Sequence, residues 1–215
     1  MRLHMVRFDA AEFQLSRFAA AGLDCPAPIA RSVQKRQSEY FHGRLCARSA
    51  LAEYGHGTFS VGTGNLRQPL WPEGLVGSIT HSRAMAACLV LPAARCHGAG
   101  IDIEEIPEDC SLFLNGLIFS AGELDYMRSL GPGLPFAAAC TIGFSAKESF
   151  FKAVSNSVGF YFDFDALRLD AIDPASGRIH FTVQQTLNAS WPAGRSCSIH
   201  YTLPDAQHVL TLFLA

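Results

Sequence analysis

Charge is scarce in this chain. Only 17% of its 215 residues are Asp, Glu, Lys or Arg, and the formal net charge is -2. Bulk electrostatics therefore supply no general attraction to nucleic acid or to an anionic membrane, and any basic docking surface has to be local. The seven cysteines, scattered from Cys25 to Cys197, include no C-x-x-C spacing. An odd, unpaired set of this kind fits reduced, mostly buried thiols better than a disulfide framework. The eight histidines form no H-x-x-x-H pair, which removes the usual zinc patterns. No stretch reaches about eighteen uninterrupted apolar residues, and the opening MRLHMVRFDA lacks the apolar core of a signal peptide. These absences predict a cytoplasmic protein with no membrane span and no nucleic-acid partner. What the chain has in quantity is apolar side chains, 49% of the total, including 16 phenylalanines. That is enough to bury the core of one large domain or two small ones.

The coarse order of elements is mixed. A helix is expected over about 31–54, ending before the breakers Gly55 and Gly57, followed by a glycine- and proline-rich loop over 62–77. SITHS then leads into AMAACLVL, a run too continuous for an exposed strand, which reads as a buried strand ending at Pro92. AGIDIEEI, 99–106, reads as another strand. Helices are expected near 123–130 and over 135–154, with strands at 167–169, 179–183, 197–203 and 209–214. This is an α+β pattern without βαβ alternation. The stretch 107–110 is the best boundary, dividing the chain into an N-terminal half, 1–106, and a C-terminal half, 107–215.

Four stretches carry chemistry. In GIDIEEI, Asp102 and Glu104 are two apart on a strand and share one face, while Ile101 and Ile103 point to the other. Two carboxylates so placed repel unless a cation sits between them, and an oxygen-preferring dication such as Mg²⁺ suits them, although the polar face of an edge strand would look the same. In LRQPLWPEGLVGSITHS, Thr80, His81 and Ser82 lie at a strand entrance where hydroxyl, imidazole and free amides can meet an anion, or where His81 can serve as a structural hydrogen-bonder. HGRLCARSAL sets Arg44 and Arg48 four apart on one helical face. Like charges at that spacing weaken an isolated helix, and guanidinium forks match phosphate, so either an anionic ligand or plain solvation accounts for them. FSAKESFFKAV places Glu148 and Lys152 one turn apart, compatible with a surface ion pair, and Ser145 three before Glu148, compatible with a capping box.

The series G-R-x-x-A-R-x-A-L, W-P-x-G-x-x-G-S-I-T-H-S, G-I-D-I-E and F-S-x-K-E-S-x-x-K, in this order and at these spacings, resembles the 4′-phosphopantetheinyl transferases of the larger single-chain type, in the enterobactin-synthase-component and Pseudomonas-like branch. The resemblance covers about residues 31 to 165. It implies a pseudodimeric α+β fold of two similar halves meeting around coenzyme A, in a monomer. It also implies an enzyme that uses Mg²⁺, or Mn²⁺ in its place, to transfer 4′-phosphopantetheine from coenzyme A to a serine of an acyl or peptidyl carrier protein, releasing 3′,5′-ADP.

Carried over position by position, the resemblance makes Asp102, Glu104 and Glu148 the metal carboxylates. It puts Lys152 and His81 on phosphate oxygens with Thr80 nearby, Arg44 on the 3′-phosphate and Arg67 in the nucleotide pocket. Glu148, or Glu123 acting through water, would be the general base. Phe144 stands where relatives often carry Trp. The paired N-terminal lysines of surfactin-type relatives have no match, and Lys35 and Arg36 are the nearby substitutes. Carrier specificity is expected in the loops 107–120 and 155–165. Two other readings compete: a noncatalytic module that kept the fold and lost the chemistry, and a serine hydrolase using Ser78 or Ser82 with His81 and Asp102. The first predicts a missing metal carboxylate or lysine, and the second lacks a G-x-S-x-G elbow.

Overall fold

The computed structural model describes residues 1–64 and 68–215. Arg67, expected in the nucleotide pocket, lies outside the described residues.

The chain opens with β1 (Arg2–Arg7), then the short helices α1 (Ser16–Ala20) and α2 (Ala27–Ala30) and the long helix α3 (Gln34–Ala52). A two-stranded ribbon, β2 (Gly62–Thr63) with β3 (Pro69–Leu70), precedes the hairpin of β4 (Leu75–His81) and β5 (Met85–Pro92). Strand β5 pairs antiparallel with both β1 and β4, giving a three-stranded sheet in the order β1-β5-β4. Buried along nearly its whole length, β5 serves two packing layers. Ala86, Cys88 and Val90 meet Cys46, Ala47, Ala50 and Leu51 of α3, while Ala87, Leu89 and Leu91 face Ala99 and Ile101. That two-sided burial is why its sequence is continuously apolar rather than alternating.

The rest of the chain adds β6 (Ala99–Glu105), α4 (Ala121–Ser129), α5 (Phe136–Val158), β7 (Leu167–Asp173), β8 (Arg178–Val183), β9 (Ser196–Asp205) and β10 (His208–Leu214). The five strands form an antiparallel sheet in the order β6-β10-β9-β8-β7. Strand β6, which carries Asp102 and Glu104, thus hydrogen-bonds into this second sheet. It also touches the first, because the Ile101 and Ile103 amides donate to the hydroxyls of Ser78 (3.1 Å) and Thr80 (3.2 Å) on β4.

Helix α5 lies on the second sheet and buries Ile142, Ala146, Phe150 and Val154. Its approach to β6 depends on two glycines. A Cβ at Gly98 would fall 1.9 Å from the Ala153 carbonyl oxygen, and one at Gly100 would fall 1.8 Å from that of Ser149. Any larger residue would push the helix off the acidic strand. The helix stops at Gly159, whose φ of 80° supplies the left-handed C-terminal cap.

Several expectations shift here. SITHS is the end of strand β4 rather than an entrance to one, and the expected loop 62–77 contains β2, β3 and the first residues of β4. Gly77 disguises the strand, yet it is required there, since a Cβ would lie 2.4 Å from the Leu89 carbonyl oxygen. Ser145 caps nothing. It sits inside α5, where its hydroxyl is 2.9 Å from the Thr211 hydroxyl of β10. The capping box occurs instead at the start of α4, between Ser120 and Glu123.

Candidate active site

The crossing of α5 over β6 brings the two halves of the expected site together. Lys152 Nζ lies 2.5 Å from Asp102 Oδ1 and 3.3 Å from both the Thr80 hydroxyl and the Ile101 carbonyl. The Thr80 hydroxyl donates to the same Asp102 oxygen at 3.0 Å. Lys152 therefore forms its ion pair across the fold with Asp102, not along the helix with Glu148. The surface-pair reading of Glu148 and Lys152 is set aside on this geometry, because the lysine bridges α5, β4 and β6.

Asp102 is buried, and its second oxygen, Oδ2, has no hydrogen-bond partner among the described residues. Burial pushes the Glu104 carboxyl up to about 8, with the Asp102 and Glu148 charges adding to the rise and Lys152 opposing it. Glu148 is also pushed up by burial, with Lys152 lowering it and Asp102 raising it. Glu104 and Glu148, whose charged forms are disfavoured beside buried Asp102, have one ammonium among them, which makes a site short of positive charge. Among the described residues no three acidic, His or Cys side chains are drawn into a ready-made metal cage. Mg²⁺ does not require one, because it commonly takes one or two protein carboxylates and fills its remaining positions with water and phosphate oxygens. The all-oxygen donor set and the orphaned Asp102 oxygen fit such an ion.

His81 lies beside this cluster at the end of β4. Its Nε2 accepts from Arg36 at 2.8 Å, while Nδ1 is 3.7 Å from Glu39. Burial lowers its pKa, Glu39 opposes that shift, and Arg36 reinforces it. A neutral imidazole accepting from Arg36 is the consistent state. Arg36, Arg44, Thr63 and His81 line one cleft of about 160 Å³. In the sequence Arg36 is one of two nearby substitutes; that it faces His81 follows from a contact between residues 45 positions apart, which spacing along one helix does not reveal. Arg48 does not line this cleft; it donates to the Ala21 carbonyl and meets Arg44 in a smaller neighbouring cavity with Asp24 and Ser60.

Glu123 serves another purpose. One carboxylate oxygen accepts from Lys147 Nζ (3.1 Å) and the Leu169 amide (2.8 Å), and the other from the amide and hydroxyl of Ser120. Although burial opposes it, Lys147 and these donors lower its pKa. A buried carboxylate whose acceptor positions are filled and whose ionised form is favoured is a poor proton acceptor. These contacts support a structural role for Glu123 rather than that of a base. It ties α4 to α5 and β7. Glu123→Ala leaves the Lys147 ammonium buried with the Ile118 carbonyl, the Phe119 ring face and the more distant Asp165 charge, and should cost about 3 to 5 kcal/mol. Urea unfolding checks this. A variant of unchanged stability and no activity would return Glu123 to the chemistry.

The serine-hydrolase reading fails on the same geometry. The Ser78 hydroxyl accepts the Ile101 amide, the Ser82 hydroxyl is buried with no hydrogen-bond partner among the described residues, His81 faces Arg36 and Glu39, and Asp102 holds Lys152. No serine–histidine–aspartate relay is assembled from these groups.

Comparison with known proteins agrees with the motif order. A family model described as the 4'-phosphopantetheinyl transferase superfamily matches residues 98–211, and one for the N-terminal domain of 4'-phosphopantetheinyl transferases matches residues 26–91. The chain belongs to the 4′-phosphopantetheinyl transferase superfamily. Among its relatives, enterobactin synthase component D of Salmonella typhi is 33% identical over 198 residues, covering 88% of this chain and 80% of the relative. The same component of Escherichia coli K12 is 36% identical over 162 residues, 74% of each chain. The 4'-phosphopantetheinyl transferase Svp of Streptomyces mobaraensis is 34% identical, over 70% of this chain and 61% of its own. This chain is thus an enzyme of the phosphopantetheinyl transferase class with the mixed α+β fold of that family. No helix among its described residues is long and apolar enough to cross a membrane.

Proposed function

We propose that this transferase moves 4′-phosphopantetheine from coenzyme A to a serine of an acyl or peptidyl carrier protein in the cytoplasm. The observation that carries the site assignment is the convergence of Asp102, Thr80 and Lys152 at the α5–β6 crossing, with Glu104 and Glu148 close enough to perturb one another. The serine oxygen attacks the phosphorus that bears pantetheine, a new P–O bond forms, the bond to the bridging diphosphate oxygen breaks, and 3′,5′-ADP leaves. Glu148 takes the serine proton. It is preferred to Glu123 because the Glu123 oxygens are already occupied by Lys147, Leu169 and Ser120.

Asp102, Glu104 and Glu148 would hold Mg²⁺, or Mn²⁺ in its place, which would neutralise diphosphate charge when bound. Lys152 adds a compact positive charge where the leaving group becomes more negative. Arg44, with Arg36 and His81 in the same cleft, is assigned to the 3′-phosphate. Leu112, Leu114 and Leu117 are exposed after β6, and Phe160 and Tyr161 after α5. These apolar side chains support docking of the carrier along the two loops expected to set its specificity.

Mass spectrometry of an apo carrier protein after incubation with the enzyme, coenzyme A and Mg²⁺ tests the reading. Modification of the carrier serine that disappears with chelator is expected. An unmodified panel of acyl and peptidyl carriers would overturn it.

A further inference from the structure

Arg44 projects from α3 toward the cleft it shares with Arg36 and His81, and two contacts hold its guanidinium there. One nitrogen donates to the Thr63 hydroxyl on β2 at 3.2 Å, and the guanidinium carbon lies 4.4 Å from the centre of the Tyr40 ring. Tyr40 is four residues earlier on the same helix, the spacing at which side chains meet on one face. A cation over an aromatic face is attracted by the ring's negative quadrupole, and the attraction grows when water is excluded. Arg44 Nε is buried without a hydrogen-bond partner among the described residues, so the ring holds a group already partly withdrawn from solvent.

Tyr40 is in turn held from outside the cleft. It packs on the buried cluster of Phe13, Phe18 and Phe41, with the Phe18 ring centre 6.3 Å away. The preceding segment is fastened to α3 at further points. Gln34 donates to the Phe13 carbonyl at 2.7 Å, and Arg17 lies over the Phe41 ring. A chain of packed aromatic rings therefore runs from the N-terminal segment through Tyr40 to Arg44.

We infer that Tyr40 is a positioning residue for the nucleotide pocket: its ring, braced by the Phe13–Phe18–Phe41 cluster, holds the Arg44 guanidinium where it receives a phosphate monoester of the bound nucleotide. This rests on the assignment of Arg44 to the 3′-phosphate of coenzyme A. A long, flexible arginine otherwise loses rotamer freedom on binding, and a ring that restricts it beforehand reduces that loss. The aromatic ring is the active feature. The phenolic hydroxyl is not required.

Isothermal titration of the full chain with coenzyme A and with 3′-dephospho-coenzyme A tests the inference. Tyr40→Leu should weaken coenzyme A about three- to tenfold, within the span of a partly desolvated cation–π contact, while the dephospho ligand binds as before. Tyr40→Phe should restore the preference for the phosphorylated ligand. In an Arg44→Ala background, Tyr40→Leu should add no further loss, because the two residues act as one unit.

Equal weakening of both ligands by Tyr40→Leu would reduce Tyr40 to a purely structural residue and overturn the inference. So would an unaltered preference in Tyr40→Leu while Arg44→Ala still loses it. If Arg44→Ala itself weakens both ligands equally, the 3′-phosphate assignment fails first and the inference with it. Tyr40→Met, unbranched and a good helix former, makes the same test should the leucine variant not fold.

Discussion

Asp102→Asn and Glu148→Gln should each lower carrier modification by about 10²- to 10⁴-fold, the several kcal/mol that correctly placed charge contributes to phosphoryl transfer. The amides preserve shape. In the first variant the amide carbonyl oxygen can still accept from the Thr80 hydroxyl, as Asp102 Oδ1 does at 3.0 Å. What each variant loses is one negative charge from a cluster in which burial and neighbouring carboxylates already disfavour the ionised forms of Glu104 and Glu148. Glu148→Gln should change fold stability little, with the melting temperature within about 4 °C of the parent, whereas Asp102→Asn also removes the ion pair to Lys152 and should cost about 1 to 2 kcal/mol besides. Steady-state modification of the carrier, paired with thermal unfolding, separates the two effects. Near-normal Mg²⁺-dependent turnover in both variants would remove these carboxylates from the chemistry.

Lys152 should separate binding from turnover. Lys152→Met should reduce turnover by about 10²- to 10³-fold, as loss of a preorganised transition-state donor does, and weaken coenzyme A much less. An exposed helix partner of Glu148 would show neither effect. The structure adds a stability component, because Lys152 is the ion-pair partner of buried Asp102. The lysine side chain is 27% exposed, so the cost should be about 1 to 2 kcal/mol, below that of breaking a fully buried pair. Lys152→Arg should recover stability better than turnover, since a planar fork can meet Asp102 but does not occupy the position of a compact ammonium. A methionine variant with full turnover would leave Lys152 as a tether between α5 and β6.

The legibility of this site in the sequence followed the range of each interaction. Asp102 and Glu104 share a strand face through local alternation, and the buried run of β5 shows in its composition, so both were readable. The capping-box pattern was not decisive. Ser145 and Glu148 have the same spacing as Ser120 and Glu123, but only the latter pair lies at a helix start. Burial of Ser145 against Thr211 depends on a partner 66 residues away. Strand β1 went unread because R-L-H-M-V-R has no apolar run, and as an edge strand it leaves Leu3 and Met5 exposed. Gly77, which resembles a loop signal in VGS, is instead a place where a side chain would strike a neighbouring backbone, as is Gly100 within the expected strand 99–106. The i,i+4 spacing of Glu148 and Lys152 has a local explanation as a surface ion pair, and only the packing of α5 on β6 shows that the lysine pairs with Asp102. Glu123 shows the converse. Family resemblance assigned it chemistry, while its four donors lie on Lys147, Leu169 and Ser120, a set the local sequence reveals only at Ser120.

The most direct test of the proposed centre is anomalous diffraction from crystals of the enzyme soaked with Mn²⁺ and coenzyme A. One manganese peak contacted by oxygens of Asp102, Glu104 and Glu148 and by the coenzyme diphosphate is expected, with Glu123 remaining on Lys147. A diphosphate bound with no manganese at these three carboxylates, or manganese held elsewhere on the chain, would contradict the account.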